Sequence, residues 1–326
     1  MNSKIDLSIC IVNWNTHEFL DHALQSIQKT VTDLSCEILV VDNASEDGSQ
    51  KMVAQKYPDV TLIANTENRG FAAANNQALE KASGEWVFFL NPDTELLPHC
   101  VTRLLHYLKT HPDVGMVAPK LLNTDGTVQR SVRRFPNFKT ALYRYTFLKK
   151  IGLFALDEAQ NKMDDFDFNT QRSVEQPAGA ALLISKKLLD QVGWMDPSFF
   201  LFYEEVDLCY RVKKRGYDIV YLPYAELIHH SGKARQKNRK NIFLPTLRSL
   251  FYYFSKHHGA KKTHAFKWLF KPLFILSTVW DVIEESISCF VYQIKKDSYR
   301  ADRKRQLYSL KLEFLKQDLS EFIFRV

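Results

Sequence analysis

Paired cysteines are missing from this chain. Its five cysteines, Cys10, Cys36, Cys100, Cys209 and Cys289, are scattered and never two residues apart. That excludes a Cys-x-x-Cys zinc cage, argues against a disulfide framework and fits a reducing, cytoplasmic setting. Glycine and proline are scarce, 11 of each in 326 residues, and there is no low-complexity segment. After the first apolar strand comes Asn13-Trp14-Asn15-Thr16-His17-Glu18, without a glycine. A dinucleotide-binding turn needs Gly-x-Gly-x-x-Gly there to admit the pyrophosphate, so a nicotinamide or flavin enzyme is disfavoured. No Gly-Lys-Ser/Thr follows any strand, which removes a P-loop. The opening residues, MNSKIDLSICIVNWN, lack a basic region followed by a long apolar stretch, and no secretory signal is expected. Long apolar runs are missing too. Pro272–Trp280 and Ser286–Ile294 are split by Asp281, Glu284 and Glu285, well short of the roughly 20 residues that cross a bilayer.

What is present is globular: 45% hydrophobic and 25% charged residues, enough for a large core. The net charge of +7 is uneven, because residues 231–326 carry 20 Lys+Arg against 8 Asp+Glu. The acidic remainder reads as an enzyme domain and the basic end as a docking surface for an anionic membrane or nucleic acid.

Apolar runs at 7–12, 37–41, 60–64, 86–90 and 114–118 alternate with helical patterns, which calls for a parallel, doubly wound sheet. Asn15 with Glu18 three residues on reads as the cap of the first helix, whose inward face is Phe19, Leu20, Ala23, Leu24 and Ile27. Asp125-Gly126 marks a hairpin turn. Residues 136–175 have weak periodicity and read as a mobile substrate-binding insertion. Order returns with a strand at Ala178–Ser185, a helix opened by Glu204-Glu205-Val206-Asp207, and a last strand at Asp218–Leu222. Two regions follow from this: an α/β domain over 1–235 and a helical, basic, aromatic appendage over 236–326. The appendage reads equally as a packed subdomain or as an interfacial helix. In the second reading Trp268, Phe270, Phe274 and Trp280 face lipid and Lys261, Lys262, Lys267 and Lys271 lie near headgroups.

The stretch Gly84–Glu95, GEWVFFLNPDTE, is the centre of the pattern. Trp86–Leu90 reads as a strand buried on both faces. Asn91-Pro92-Asp93 then places a carboxylate just past its C-terminal end, where open α/β sheets bind ligands. Taken in order, IVNWN, VVDNAS, NRGFAAANNQAL, GEWVFFLNPDTE, QPAGAALLIS and FFLFYEEVDLCYR resemble family 2 inverting glycosyltransferases of the GT-A fold, in particular the rhamnosyltransferase-like branch. The likeness covers roughly residues 6–232; the tail beyond 235 carries no motif of it.

The resemblance implies a role for each matching residue. Asn13, Asp42, Asn68, Arg69, Gly70, Asn76 and Asn91 would line the nucleotide-sugar site, with Asp42 on the base or ribose and Arg69 offsetting diphosphate charge. Asn76, on a helix among alanines, reads equally as a satisfied buried amide. Asn91-Pro92-Asp93 stands where the family has Asp-x-Asp, so Asp93, with His229, would hold Mn2+ or Mg2+. Glu205 aligns with the general base, and Asp207 is the reserve, although Arg211 one turn later can pair with it. The implied reaction moves a sugar, with deoxythymidine-diphosphate rhamnose the favoured donor, to a lipid-linked or growing surface glycan. That acceptor fits a cytoplasmic protein peripheral on the inner membrane face and makes nucleic acid the lesser partner. A GT-A-like nucleotide-sugar, membrane or nucleic-acid binder without turnover is the alternative.

Overall fold

In the computed structural model the described residues are 5–230, 239–295 and 298–326. They form two compact units, Met1–Phe135 with Lys162–Asn238, and Pro136–Asn161 with Arg239–Val326. The boundary read at 235/236 lies outside the described residues. A single cut there does not describe the chain, because 136–161 belongs with the C-terminal helices rather than with the sheet.

The first unit is built on a nine-stranded sheet. Its strands are β1 (Leu7–Asn13), β2 (Cys36–Asp42), β3 (Thr61–Ala64), β4 (Trp86–Leu90), β5 (Thr94–Leu96), β6 (Val114–Leu122), β8 (Arg172–Ser173), β10 (Ala181–Ser185) and β11 (Asp218–His229). The pair β7 (Val132–Arg133) and β9 (Gln176–Pro177) stands apart. The order is β3-β2-β1-β4-β10-β6-β11-β5, with β8 on β11. Strands β1 to β4 are parallel, as are β6 and β11, whereas β10 runs antiparallel to both β4 and β6. The sheet is therefore the mostly parallel, doubly wound one expected, with helices on both faces.

Apolar side chains leave the strands alternately to two cores. Leu7, Ile9 and Ile11 face one core with Leu20, Leu24 and Leu104; Cys10 and Val12 face the other with Ala72, Ala78 and Leu208. Burial on both faces explains why these strands are uninterrupted apolar runs. The covering helices are α1 (His17–Thr30), α2 (Ser49–Lys56), α3 (Phe71–Lys81), α4 (Cys100–Thr110), α7 (Lys186–Val192) and α8 (Glu204–Lys214). The expected cap of α1 is displaced by one residue. Thr16 is its N-cap without a side-chain cap bond, and Asn15, at φ +54°, instead accepts from the Glu46 amide at 2.8 Å.

The second unit contains α5 (Phe138–Tyr145), α6 (Ala155–Lys162), α9 (Arg239–His258), α10 (Ala260–Ile294), α11 (Ser298–Glu313) and α12 (Leu319–Arg325), with a π-helical turn between the last two. Its core is aromatic. Phe138 meets Phe254 and Phe266 with ring centroids 4.6 and 4.7 Å apart, and Phe274 meets Phe314 and Phe322. Phe270 and Phe274 are thus interior residues and not part of a lipid-facing row. Lys267 and Lys271 are likewise turned to their own unit, donating to the backbone oxygens of Val326 and Ile323. Trp268 and Trp280 are exposed, as read from the sequence. No helix of the described residues is long and apolar enough to cross a membrane.

Candidate active site

The C-terminal ends of β1 and β2 lie side by side, with Asn13 paired in register to Asp42. Asp42 is completely buried. One carboxylate oxygen accepts from the Ser45 amide and from Gln50 Nε2, both at 2.8 Å, and the other from Asn13 Nδ2 at 2.7 Å. A carboxylate has about four acceptor positions, so three internal bonds leave it little to offer outside. The expected base or ribose contact is therefore not presented at a surface. Asp42 instead sets the geometry of Asn13 and of the Ser45 turn, while Trp14 stands partly exposed beside them.

Gly70 opens α3 at φ +83°. A Cβ there would lie 2.7 Å from the Phe200 carbonyl oxygen, and the next amide, Phe71, donates to that oxygen at 3.1 Å. The close backbone approach that requires glycine is thus to the chain's own 200-loop. Asn68 accepts from the Gly70 amide at 2.9 Å, which leaves Arg69 exposed on the tip of the turn. Asn76 Nδ2 donates to the Met195 carbonyl at 2.7 Å, tying α3 to the loop after α7, while its Oδ1 has no partner among the described residues.

After β4 the chain makes a turn in which the Asn91 amide bonds Ala180 O at 2.9 Å and Thr94 Oγ1 bonds Asn91 O at 2.7 Å. It then enters β5, a strand of three residues. β5 runs antiparallel to the end of β11, with Thr94 opposite His229. This brings Asp93 Oδ1 to 3.4 Å from His229 Nε2, both side chains nearly buried. β11 itself continues past Leu222 through an irregularity against β6, so His229 sits on a strand rather than in a following loop.

Gln129 completes this corner and was not foreseen. Its Nε2 donates to the His229 carbonyl at 2.6 Å and to Asn123 Oδ1 at 2.9 Å. A carbonyl only accepts, so the amide nitrogen faces it and Gln129 Oε1 faces His229 Nδ1, 2.9 Å away. Nδ1 therefore carries a proton, and Nε2 is the ring atom turned toward the Asp93 carboxylate. As an imidazolium the ring would form an ion pair with Asp93; as a neutral ring its lone pair and the carboxylate would share a cation. Two ligands on one ion with bonds of about 2.1 Å lie within roughly 4 Å of each other, so the pair fits a divalent cation. The described residues contain no cluster of three or more His, Cys, Asp or Glu side chains suited to a metal; this corner supplies two donors.

The acidic helix start is reached through strain. Phe202 and Tyr203 have φ of +63° and +71°, left-handed conformations that cost about 1–3 kcal/mol each and deliver Glu204 and Glu205 to the first turn of α8. Glu205 lies against Gly179, where a Cβ would come 2.9 Å from its Cγ. Gly179 precedes Ala180, the residue bonded to Asn91. Glu205 and Asp93 are therefore carried by adjoining segments at the same end of the sheet.

Asp207 is placed differently. It is fully buried and takes Arg211 Nε at 2.8 Å. Arg211 in turn caps carbonyls at the end of α7, Val192 at 2.6 Å and Trp194 at 2.8 Å. Glu204 is buried with one carboxylate oxygen lacking a partner. Burial, and then the neighbouring Glu205 charge, hold its carboxyl well above the ordinary range.

Residues 8–163 match the family model "Glycosyl transferase family 2". This segment is a family 2 glycosyltransferase domain. The chain is 26% identical over 318 residues to N-acetylglucosaminyl-diphospho-decaprenol L-rhamnosyltransferase of Mycobacterium tuberculosis, covering 92% of this chain and 96% of that one. It is 27% identical over 230 residues to a low-salt glycan biosynthesis hexosyltransferase of Haloferax volcanii, covering 69% and 67%. Among solved structures, a mannosyltransferase from Pyrobaculum calidifontis in complex with GDP-Man and Mn2+ superposes with a TM-score of 0.52 at 17% identity, over 96% of this chain and 88% of that one. GalNAc-T7 with UDP, GalNAc and Mn2+ gives 0.54 at 16% identity, over 69% and 43%. At these identities the structures show the fold, which is GT-A-like. The glycosyltransferase is a homologue of rhamnosyltransferases, as its motifs suggested.

Proposed function

We propose that this glycosyltransferase moves a sugar, with rhamnose favoured, from a nucleoside-diphosphate donor to a hydroxyl of a lipid-linked or growing glycan, inverting the anomeric centre. The observation that carries this reading is the convergence at one sheet end of Glu205, leaning on Gly179, with the Asp93–His229 pair. The rhamnosyltransferase relative supports the donor sugar and the lipid-linked acceptor through its name. An acceptor of that kind places the enzyme in the cytoplasm, peripheral on the inner membrane face.

In the reaction Glu205 takes the proton of the acceptor hydroxyl as that oxygen attacks the anomeric carbon. The bond from this carbon to the diphosphate oxygen breaks, and the nucleoside diphosphate leaves with the electron pair. Asp93 and His229 are the side chains that would hold Mn2+ or Mg2+, whose contribution when bound is to offset charge on the departing diphosphate. Arg69, exposed at the tip of its turn, adds positive charge for the donor, and Asn91 lines the donor site with Asn13 buried behind it. Glu205 is preferred to Asp207 because Asp207 is committed to Arg211 inside the fold.

The test is transfer by purified variants. Asp93→Ala and Glu205→Gln should each lower turnover at least about a hundredfold while the fold persists by circular dichroism. Near-wild-type turnover in either would remove that residue from the mechanism, and absence of donor turnover in the wild type would favour the binding-protein alternative.

A further inference from the structure

The second unit has an apolar surface that its own core does not use. On α10, Leu269, Leu276, Ile283 and Phe290 recur every seventh residue and are 52–64% exposed. A parallel row of Trp280, Ile287 and Ile294 is 59–66% exposed. Seven-residue spacing keeps each row on one side of a helix. Together they make a stripe roughly 38 Å long at 1.5 Å per residue. The opposite side of the same helix holds Phe266, Phe270 and Phe274 in the aromatic core, so α10 is apolar on both sides and only one is covered by the fold.

A second, chain-distant segment adds to this surface. The tip between α5 and α6 exposes Ile151, Leu153 and Leu156. It is held against α10 by Lys150, which pairs with Asp281 at 2.8 Å and with Glu284, and whose ammonium lies 6.0 Å from the centre of the Trp280 ring. Glu284, an exposed acid beside the stripe, is thereby paired.

The rim decides what covers this face. Exposed Lys261 and Lys262 stand before the stripe, Lys295 after it and Lys149 beside the tip. A second copy of the chain would bring like charge against like charge, whereas anionic lipid headgroups are complementary to all four. The face also resembles interfacial segments in exposing tryptophan, Trp268 and Trp280, on a helix not apolar enough to span.

We infer that this face, the outer stripe of α10 with the 151–156 tip, docks on an anionic lipid surface. The inference rests on the peripheral location proposed above and assigns it to a surface. The side chains enter the headgroup boundary and the lysines meet the phosphates, without a crossing segment.

The experiment is sedimentation of the full-length protein with vesicles of phosphatidylglycerol and phosphatidylcholine, alongside phosphatidylcholine alone. Wild type should pellet with the anionic vesicles and less with the neutral ones. Ile283→Glu combined with Ile287→Glu, at positions already facing solvent, should weaken partition roughly tenfold or more with unchanged thermal melting. Lys261→Glu with Lys262→Glu should weaken it in a salt-dependent manner. Binding undiminished by the double isoleucine change would overturn the assignment. So would a wild type that ignores anionic vesicles and elutes as a dimer that the same change dissociates. Donor hydrolysis measured on the same preparations separates the two readings: its loss in wild type counts against transfer, whereas vesicle binding reports on the face alone.

Discussion

Single residues in this enzyme are tuned by what surrounds them. Glu204 shows this most clearly, since burial and the adjacent Glu205 raise its pKa in the folded chain. A carboxyl whose folded pKa lies above its unfolded one favours the folded state while both are protonated. That contribution is lost as pH rises from the ordinary carboxylate pKa of about 4.3 through the raised folded value. Glu204→Gln keeps the shape and removes the titration, so its melting temperature should exceed wild type at pH 8, with the gap closing toward pH 4.5. Equal melting temperatures at pH 8 would show that Glu204 is not held protonated. Gly179 and Gly70 illustrate the same scale from the other side: each lacks a side chain because another residue, Glu205 or Phe200, occupies that space.

At the scale of elements, the site is assembled by pieces too short to announce themselves. β5 has three residues, and no periodicity can be read from three. Yet its antiparallel pairing with β11 is what sets Asp93 beside His229. The hairpin after β6, turning at Gly126 with φ +81°, does the complementary task of carrying Gln129 to both the ring and the carbonyl of His229. Groups that orient a metal-binding imidazole typically change affinity about 10–100-fold. Gln129→Leu should therefore weaken Mn2+ binding, followed by electron paramagnetic resonance, by about tenfold. Gln129→Glu, which keeps an acceptor for Nδ1–H, should weaken it less. Unaltered affinity in the leucine variant would make the hairpin a structural contact only. The asparagine, aspartate and histidine were visible as residue types in motifs; Gln129 had no signal, because a glutamine after a turn is ordinary.

For the molecule as a whole, two compact units share one chain, and they are interleaved in sequence. A donor bound at the proposed site stabilises the folded chain by mass action, about 2.7 kcal/mol at a hundredfold excess over the dissociation constant. Among nucleotide sugars offered with Mn2+, deoxythymidine-diphosphate rhamnose should raise the melting temperature most. A larger shift with another nucleotide sugar would redirect the donor assignment, and no shift with any would count against nucleotide-sugar binding altogether. The basic balance of residues 231–326 belongs to this scale as well, since it is a property of the surface and not of any one contact.

Periodicity and local chemistry were sufficient for the α/β alternation, the buried central strand and the helix opened by Glu204, because those features repeat or occupy contiguous residues; the family came from the resemblance of six motifs in order. Asp93 and Glu205 are proposed as site residues from the same contiguous motifs. Long-range partners were beyond that reach. Asp42 reads as a ligand-facing carboxylate, and its bond to Asn13, 29 residues away, appears only in the fold. The Asp207–Arg211 pair was legible from its spacing of four residues, whereas the bonds from Arg211 to the end of α7 were not. The apolar residues of α10 could not be divided by pattern alone, since both sides of the helix are apolar; packing put Phe270 and Phe274 inside and left Trp280 and Ile283 out. Burial is a property of what else arrives at a side chain, and here the arrivals come from 29 to 100 residues away.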